Sequence, residues 1–556
     1  MTRLLFALFL MTLAVTRADA QDTRDSIRDR VFLTAQSAQS STAGEALAQA
    51  ATRIAAGSTE LADLLRERQD TADLLDVLND RLADAAIATG AASERTIATL
   101  RSEIATARAR LGALDNDLDA RFPDFRELTN PRPLTRVELQ ALLRPDEAMV
   151  MTFTDQNFFY AWAFSKTKAD WYRLEIASTE ISSRVQTLRG QLSVTAGNRA
   201  GKSLKGTKRA EVRPFDRAIA HGLYAELFEP LDHVFRDAEH VMMVLDGPLT
   251  SLPPAVLVTS PPVGADDSAQ SLRQTDWLLR RHALTTLPSV SALKALRRGG
   301  AAAAERAADN SAPFVGFGNP LLGYRLMAAA DTANGNDTVV TRGIYEDVTQ
   351  VADLAPLPNT DTELRALAKT MGVGDEALYL TSAATERNVK EADLSNARIL
   401  AFATHGLLAD GLPGLNEPAL VFTPPETPSA IDDALLTASE AAQLNLSASL
   451  VILSACDTAG SDGTPGSEGL SGLARAFIYA GARAILVSHW PVDDYAASVL
   501  TTGMLDRMQA DDPQSRAQAL RHSALSILDD ESAARFAHPR IWAPFVVVGE
   551  GALDGA

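Results

Sequence analysis

Five short runs between residues 314 and 549 are apolar at nearly every position: Phe314-Val-Gly-Phe-Gly, Ile399-Leu-Ala-Phe-Ala, Leu450-Val-Ile-Leu, Ala484-Ile-Leu-Val and Phe545-Val-Val-Val. A strand with one wet face alternates apolar and polar side chains, so a run without alternation must be covered on both faces. Helical segments separate the runs, and the combination predicts an α/β fold built on a mostly parallel sheet flanked by helices. The helix from Glu468 places Leu470, Leu473 and Phe477 on one face and stops at Gly481. Another opens with the capping box Thr437-Ala-Ser-Glu440, which makes Glu440 a cap rather than a catalytic acid.

The chain ahead of this region falls into distinct parts. Residues 1–20 read as a secretory signal, with Arg3 ahead of a short apolar block and Ala18-Asp19-Ala20 as a small-x-small cleavage site. Residues 21–134 form a helical arm. Ile97, Leu100, Ile104, Ala107, Leu111, Leu114 and Leu118 trace a coiled-coil-like seam, and Leu61, Leu65, Leu75 and Leu82 supply a partner segment, so an antiparallel hairpin is expected. A shorter helix is expected from Glu45 to Ala56, and no 34-residue repeat period is visible. Residues 135–296 open with strands at 149–153, 158–164 and 171–176 and continue to Val241-Met-Met-Val-Leu, predicting a first α/β lobe. The basic stretch Asn198 to Arg213 reads as a solvated loop, residues 297–312 as a low-complexity linker, and 313–556 as the second lobe. Met327 to Asn359 is polar and long enough to be a lid or a processing loop.

Charge excludes some functions. The formal net charge is −19, and −20 once Arg3, Arg17 and Asp19 leave with the signal, so nucleic acid would be repelled. No later run is long enough for a transmembrane helix, which points to a soluble periplasmic or secreted product, or to a membrane-anchored one if the signal stays uncleaved. There is no phosphate-binding loop and no G-x-S-x-G elbow, and Gly316-Phe-Gly318 lacks the rest of a dinucleotide fingerprint. His233, His240, His282, His522 and His538 lack metal-ligand spacing, so neither a cofactor nor a metal is expected. His221 lies in a helical pattern with no strand before it and is read as a decoy.

Cys456 is the one cysteine in 556 residues, unusual in an exported chain, where cysteines pair or are missing. It follows the run Leu450 to Leu453, while His405 and Gly406 follow the run Ile399 to Ala403. Ligands bind beyond the carboxyl ends of the strands in such sheets. If the two strands are parallel neighbours, an imidazole and a thiol share one crevice, the arrangement a thiol nucleophile needs. The imidazole stabilises thiolate or carries the proton. The N–H groups of Gly406 and Cys456 are candidate oxyanion donors. Asp457, His489 and Trp490 are candidates to line a substrate pocket, and Asp432, Asp433, Asp457 and Asp462 either favour a basic substrate residue or serve ordinary turns.

These segments carry a resemblance. Ile399-Leu-Ala-Phe-Ala-Thr-His-Gly, Leu436-Thr-Ala-Ser-Glu, Leu450-Val-Ile-Leu-Ser-Ala-Cys-Asp-Thr-Ala-Gly, Trp490-Pro-Val-Asp-Asp and His538-Pro-Arg-Ile-Trp-Ala-Pro-Phe-Val-Val-Val-Gly resemble the CHAT domain, the caspase- and separase-like cysteine peptidase family. Val244-Leu-Asp-Gly-Pro-Leu-Thr-Ser-Leu-Pro and Leu284-Thr-Thr-Leu-Pro-Ser-Val-Ser-Ala-Leu resemble its upstream half. The resemblance implies a caspase-like sheet with His405 and Cys456 as the catalytic dyad, acting on a protein or peptide substrate. The expected function is that of an exported cysteine endopeptidase. The alternative is a catalytically silent scaffold that binds a protein partner through the helical arm.

Overall fold

The structure, a computed structural model, describes residues 26–38, 91–121, 133–193, 213–294, 296–297, 312–322, 359–407, 418–429, 431–454, 472–490 and 492–552, with isolated positions between them. The segment 1–20 read as a signal, the helix expected at 45–56, the basic loop up to residue 212, most of 327–359, and Cys456, Asp457 and Asp462 lie outside the described residues.

Fourteen strands are described: β1 Glu147–Thr154, β2 Phe158–Ser165, β3 Ala169–Glu175, β4 His240–Val244, β5 Ala283–Thr286, β6 Ala312–Pro320, β7 Leu378–Thr381, β8 Ala397–Ala403, β9 Gly406–Leu407, β10 Ala419–Val421, β11 Leu435–Thr437, β12 Leu450–Leu453, β13 Ala484–Ser488 and β14 Phe545–Gly549. Eleven make one sheet in the order β3-β2-β1-β4-β5-β14-β13-β12-β8-β6-β7. Pairing is antiparallel between β3 and β2, β2 and β1, and β14 and β13, and parallel everywhere else in that sheet. The fold is therefore α/β with a mostly parallel sheet. β9, β10 and β11 form a separate small sheet in the order β11-β10-β9.

The final strand joins the two expected lobes. β14 sits between β5 and β13, with Val547 opposite Thr285 and Val548 opposite Ile485, so residues from either side of 297–312 share one continuous sheet. Both faces are covered, which is why the strands do not alternate. Leu450 and Ile452 of β12 belong to the core on one face, and Val451 and Leu453 to the core on the other. β8 divides likewise, Ile399, Ala401 and Ala403 against Leu400 and Phe402.

The helices follow from the same economy. In α1, Ala91–Arg121, the buried positions Leu100, Ile104 and Ala107 of the expected seam cluster with Leu78. In α2, Arg217–Leu227, half-buried His221 bonds the carbonyl of Val258 through Nδ1 at 3.1 Å. α3, Asn359–Thr370, and α5, Asp494–Met508, cover one face of the sheet through Leu364, Leu367, Leu500 and Met504. α4, Gly472–Ala480, covers the other with Leu473 and Phe477. It ends at Gly481, whose φ of 121° and close approach to the Leu446 carbonyl require a residue without Cβ. A helix at 26–38 lies within the expected helical arm, though no helix was placed there by itself; its Phe32 packs against Phe164 and Trp162, with ring centroids 4.6 and 6.1 Å away, on the same face as α4.

Candidate active site

The site is built at the carboxyl ends of β8 and β12. The two strands are parallel neighbours, and their pairing runs from Leu450 opposite Ile399 to Leu453 opposite Phe402. The ladder continues one step further, because the N–H of Ser454 donates to the carbonyl of Phe402 at 3.0 Å. His405 stands three residues beyond Phe402, and Cys456 three residues beyond Leu453. The strand pairing that the chemistry requires is therefore present, while the sulfur itself lies outside the described residues.

The histidine end of β8 is held firmly. Thr404, 2% exposed, donates its hydroxyl to the Val421 carbonyl, and the His405 carbonyl accepts from the Val421 N–H at 2.9 Å. Gly406 then enters β9 opposite Leu420. His405 is half-buried, so its ring is neither sealed in the core nor fully in water. Close to it, Gly318 of β6 faces Ala403 so tightly that a Cβ on Gly318 would lie 2.6 Å from the Ala403 carbonyl oxygen.

Other anticipated residues have different surroundings. His489, just past β13, is 4% exposed and its N–H donates to the Pro544 carbonyl at 2.9 Å. Among the described residues its buried Nδ1 has no hydrogen-bond partner, and burial, followed by the nearby Arg189 charge, pushes its pKa down to about 3, so the ring is neutral at ordinary pH. Trp490, 1% exposed, donates its indole N–H to the Arg540 carbonyl at 2.9 Å. Both rings are packed below the surface.

The acidic residues serve the small sheet. Glu440 caps its helix as expected, in a capping box with Thr437, and also meets Lys390 at 2.6 Å. Asp433 accepts from the Leu435 N–H at 3.0 Å, a local turn, and its own N–H donates to Glu386 at 2.7 Å. Glu386 is 1% exposed; burial raises its pKa to about 7 although Lys390 lies 2.5 Å away. Asp432 is buried, which raises its pKa, and Arg387 approaches it to 3.8 Å. The group anchors the start of β11, and through β10 it braces the strand that begins at Gly406. Among the described residues, no three or more His, Cys, Asp or Glu side chains are grouped to hold a metal ion.

One residue of the site escaped the sequence reading. Glu363 on α3 is 5% exposed; its carboxylate accepts from the Ser454 hydroxyl at 3.2 Å, and the Thr501 hydroxyl of α5, which donates to the Ala497 carbonyl at 2.8 Å, lies 3.3 Å from its other oxygen. Its place in an amphipathic helix next to Leu364 gave no sign of this; a carboxylate at a core-facing position was the available signal.

The adjacent parallel strands β8 and β12 bring half-buried His405 and Ser454 to one end of an α/β sheet. The chain belongs to the CHAT domain family, whose model matches residues 217–550. Two curated relatives, the tetratricopeptide repeat protein 28 of Mus musculus and that of Homo sapiens, are each 28% identical over 221 residues. That match covers 35% of this chain but only 9% and 8% of theirs, so the chain spans a small part of their length. Among solved structures, similarity is found to the Saccharomyces cerevisiae separase-securin complex, at 11% identity and a TM-score of 0.37 over 82% of this chain and 34% of that one. It is also found to the Arg-specific cysteine proteinase gingipain R, at 12% identity and a TM-score of 0.31 over 60% of this chain and 67% of that one. Among the described residues, no helix is long and apolar enough to cross a membrane.

Proposed function

We propose that this CHAT protein is an exported cysteine endopeptidase. Cys456 gives its proton to His405 and attacks a peptide carbonyl; the C–N bond then breaks, His405 returns the proton to the leaving amine, and water hydrolyses the thioester. The N–H groups of Gly406 and Cys456 receive the oxyanion, and Asp457 borders the crevice. One observation carries this reading: β8 and β12 are paired in parallel register up to Phe402 and Leu453, three residues short of His405 and Cys456 respectively. The membership of residues 217–550 in the CHAT family supports it, and the apolar segment ahead of Gln21 supports export.

The test is a comparison of new protein N-termini generated in a periplasmic extract by the wild type and by Cys456→Ala. Cleavages present with the wild type and missing with the variant are expected. Identical sets of N-termini would favour a scaffold that acts by binding.

A further inference from the structure

We propose that Glu363 is a positioning residue for the nucleophile: its carboxylate grips the Ser454 hydroxyl and fixes the direction in which the chain leaves β12 toward Cys456. The inference rests on the reading of Cys456 as the nucleophile.

The position of Glu363 makes no sense for packing alone. Leu364, Leu367 and Ala368 beside it are buried in the core, and a carboxylate only 5% exposed is destabilising there unless donors compensate it. One donor is Ser454 at the end of β12, while the Thr501 hydroxyl of α5, which donates to the Ala497 carbonyl at 2.8 Å, lies 3.3 Å from the other carboxylate oxygen. Three elements therefore meet at one point on the rim. Ser454 is held twice, by its hydroxyl to Glu363 at 3.2 Å and by its N–H to the Phe402 carbonyl at 3.0 Å. The second bond ties it to the strand that carries His405; the first sets the rotation of the residue about that tie. Cys456 follows two residues later, at most ~7 Å of extended chain away, so a loosened Ser454 swings the sulfur relative to the imidazole. Misplacement of a reacting group by ~1 Å can cost on the order of a hundredfold in rate.

The experiment measures the rate of iodoacetamide alkylation of Cys456 against pH in the folded full chain. Glu363→Ala and Ser454→Ala should each slow alkylation at pH 6.5 by about fivefold or more and move the midpoint toward the ~8.5 of a free thiol. The double variant should be no slower than either single one, because both remove the same bond. Glu363→Gln, whose amide oxygen still accepts from Ser454, should stay within about twofold of wild type. Leu367→Ala, a cavity in the same helix, should lower Tm and leave the pH profile unmoved. An unaltered profile in Glu363→Ala, multiplying losses in the double variant, Glu363→Gln as slow as Glu363→Ala, or the same shift in Leu367→Ala would overturn the proposal while leaving the peptidase reading intact. A wild-type thiol that reacts like a free peptide thiol would overturn both.

Discussion

Leu453 pairs with Phe402 across β12 and β8, and in sequence Cys456 comes three residues after the first and His405 three residues after the second. His405 and Cys456, 51 residues apart in sequence, thus each follow the end of one of two paired strands by the same number of residues. A slip of one residue in a parallel pair would turn the strand over and send alternate side chains to the other face. Two packed faces forbid that slip, since Val451 and Ile452 belong to different cores.

The close approach at the base of this rim is a sensitive point. In Gly318→Ala the added Cβ would meet the Ala403 carbonyl and Leu364, each at 2.6 Å, directly before Thr404 and His405. Overpacking of this kind costs about 1–3 kcal/mol. The expected outcome is a lowered midpoint in urea unfolding together with a loss of Cys456 reactivity, because β8 must shift to make room.

A second prediction concerns acid. Glu147, 1% exposed, would have its pKa raised by burial, but hydrogen bonds from His240 and the Arg144 N–H, with the Arg297 charge, bring it down to about 2. Because the folded value lies below the unfolded one, the carboxylate stabilises the fold above pH 4.5, and that contribution is lost as pH falls toward 2. The full difference is about 3 kcal/mol. Denaturant unfolding followed from pH 5 to pH 2 should therefore fall more steeply for wild type than for Glu147→Gln, by roughly that amount.

The helix at 26–38 should be anchored by its aromatic contact. Phe32 is fully buried against Phe164 and Trp162, and Phe32→Ala should cost about 3–5 kcal/mol of local docking energy. Limited proteolysis should then cut residues 26–38 at protease concentrations that leave the wild type whole.

The parts of this fold legible in the sequence share a cause. β8, β12, β13 and β14 are apolar at nearly every position, Arg398 and Ser488 excepted, because both their faces are covered. The capping box at Thr437 and the stop at Gly481 were legible because each is a local arrangement of backbone and side chain. β9, with two residues, and β10 and β11, with three each, are too short to show a period, and their pairing depends on neighbours distant in sequence. β5 and β7, at four residues each, and the insertion of β14 beside β5 escaped for the same reason. Glu363 reads as one more acid in a charged helix until the tertiary fold turns it inward to Ser454.

The pairing of His405 with Cys456 is tested most directly by the pH dependence of Cys456 alkylation in the native wild type and in His405→Ala. With the two side chains together, the wild-type rate should level off at a pH well below the ~8.5 of a free thiol, and His405→Ala should react at least about tenfold more slowly at pH 6. Superimposable profiles for the two proteins would contradict it.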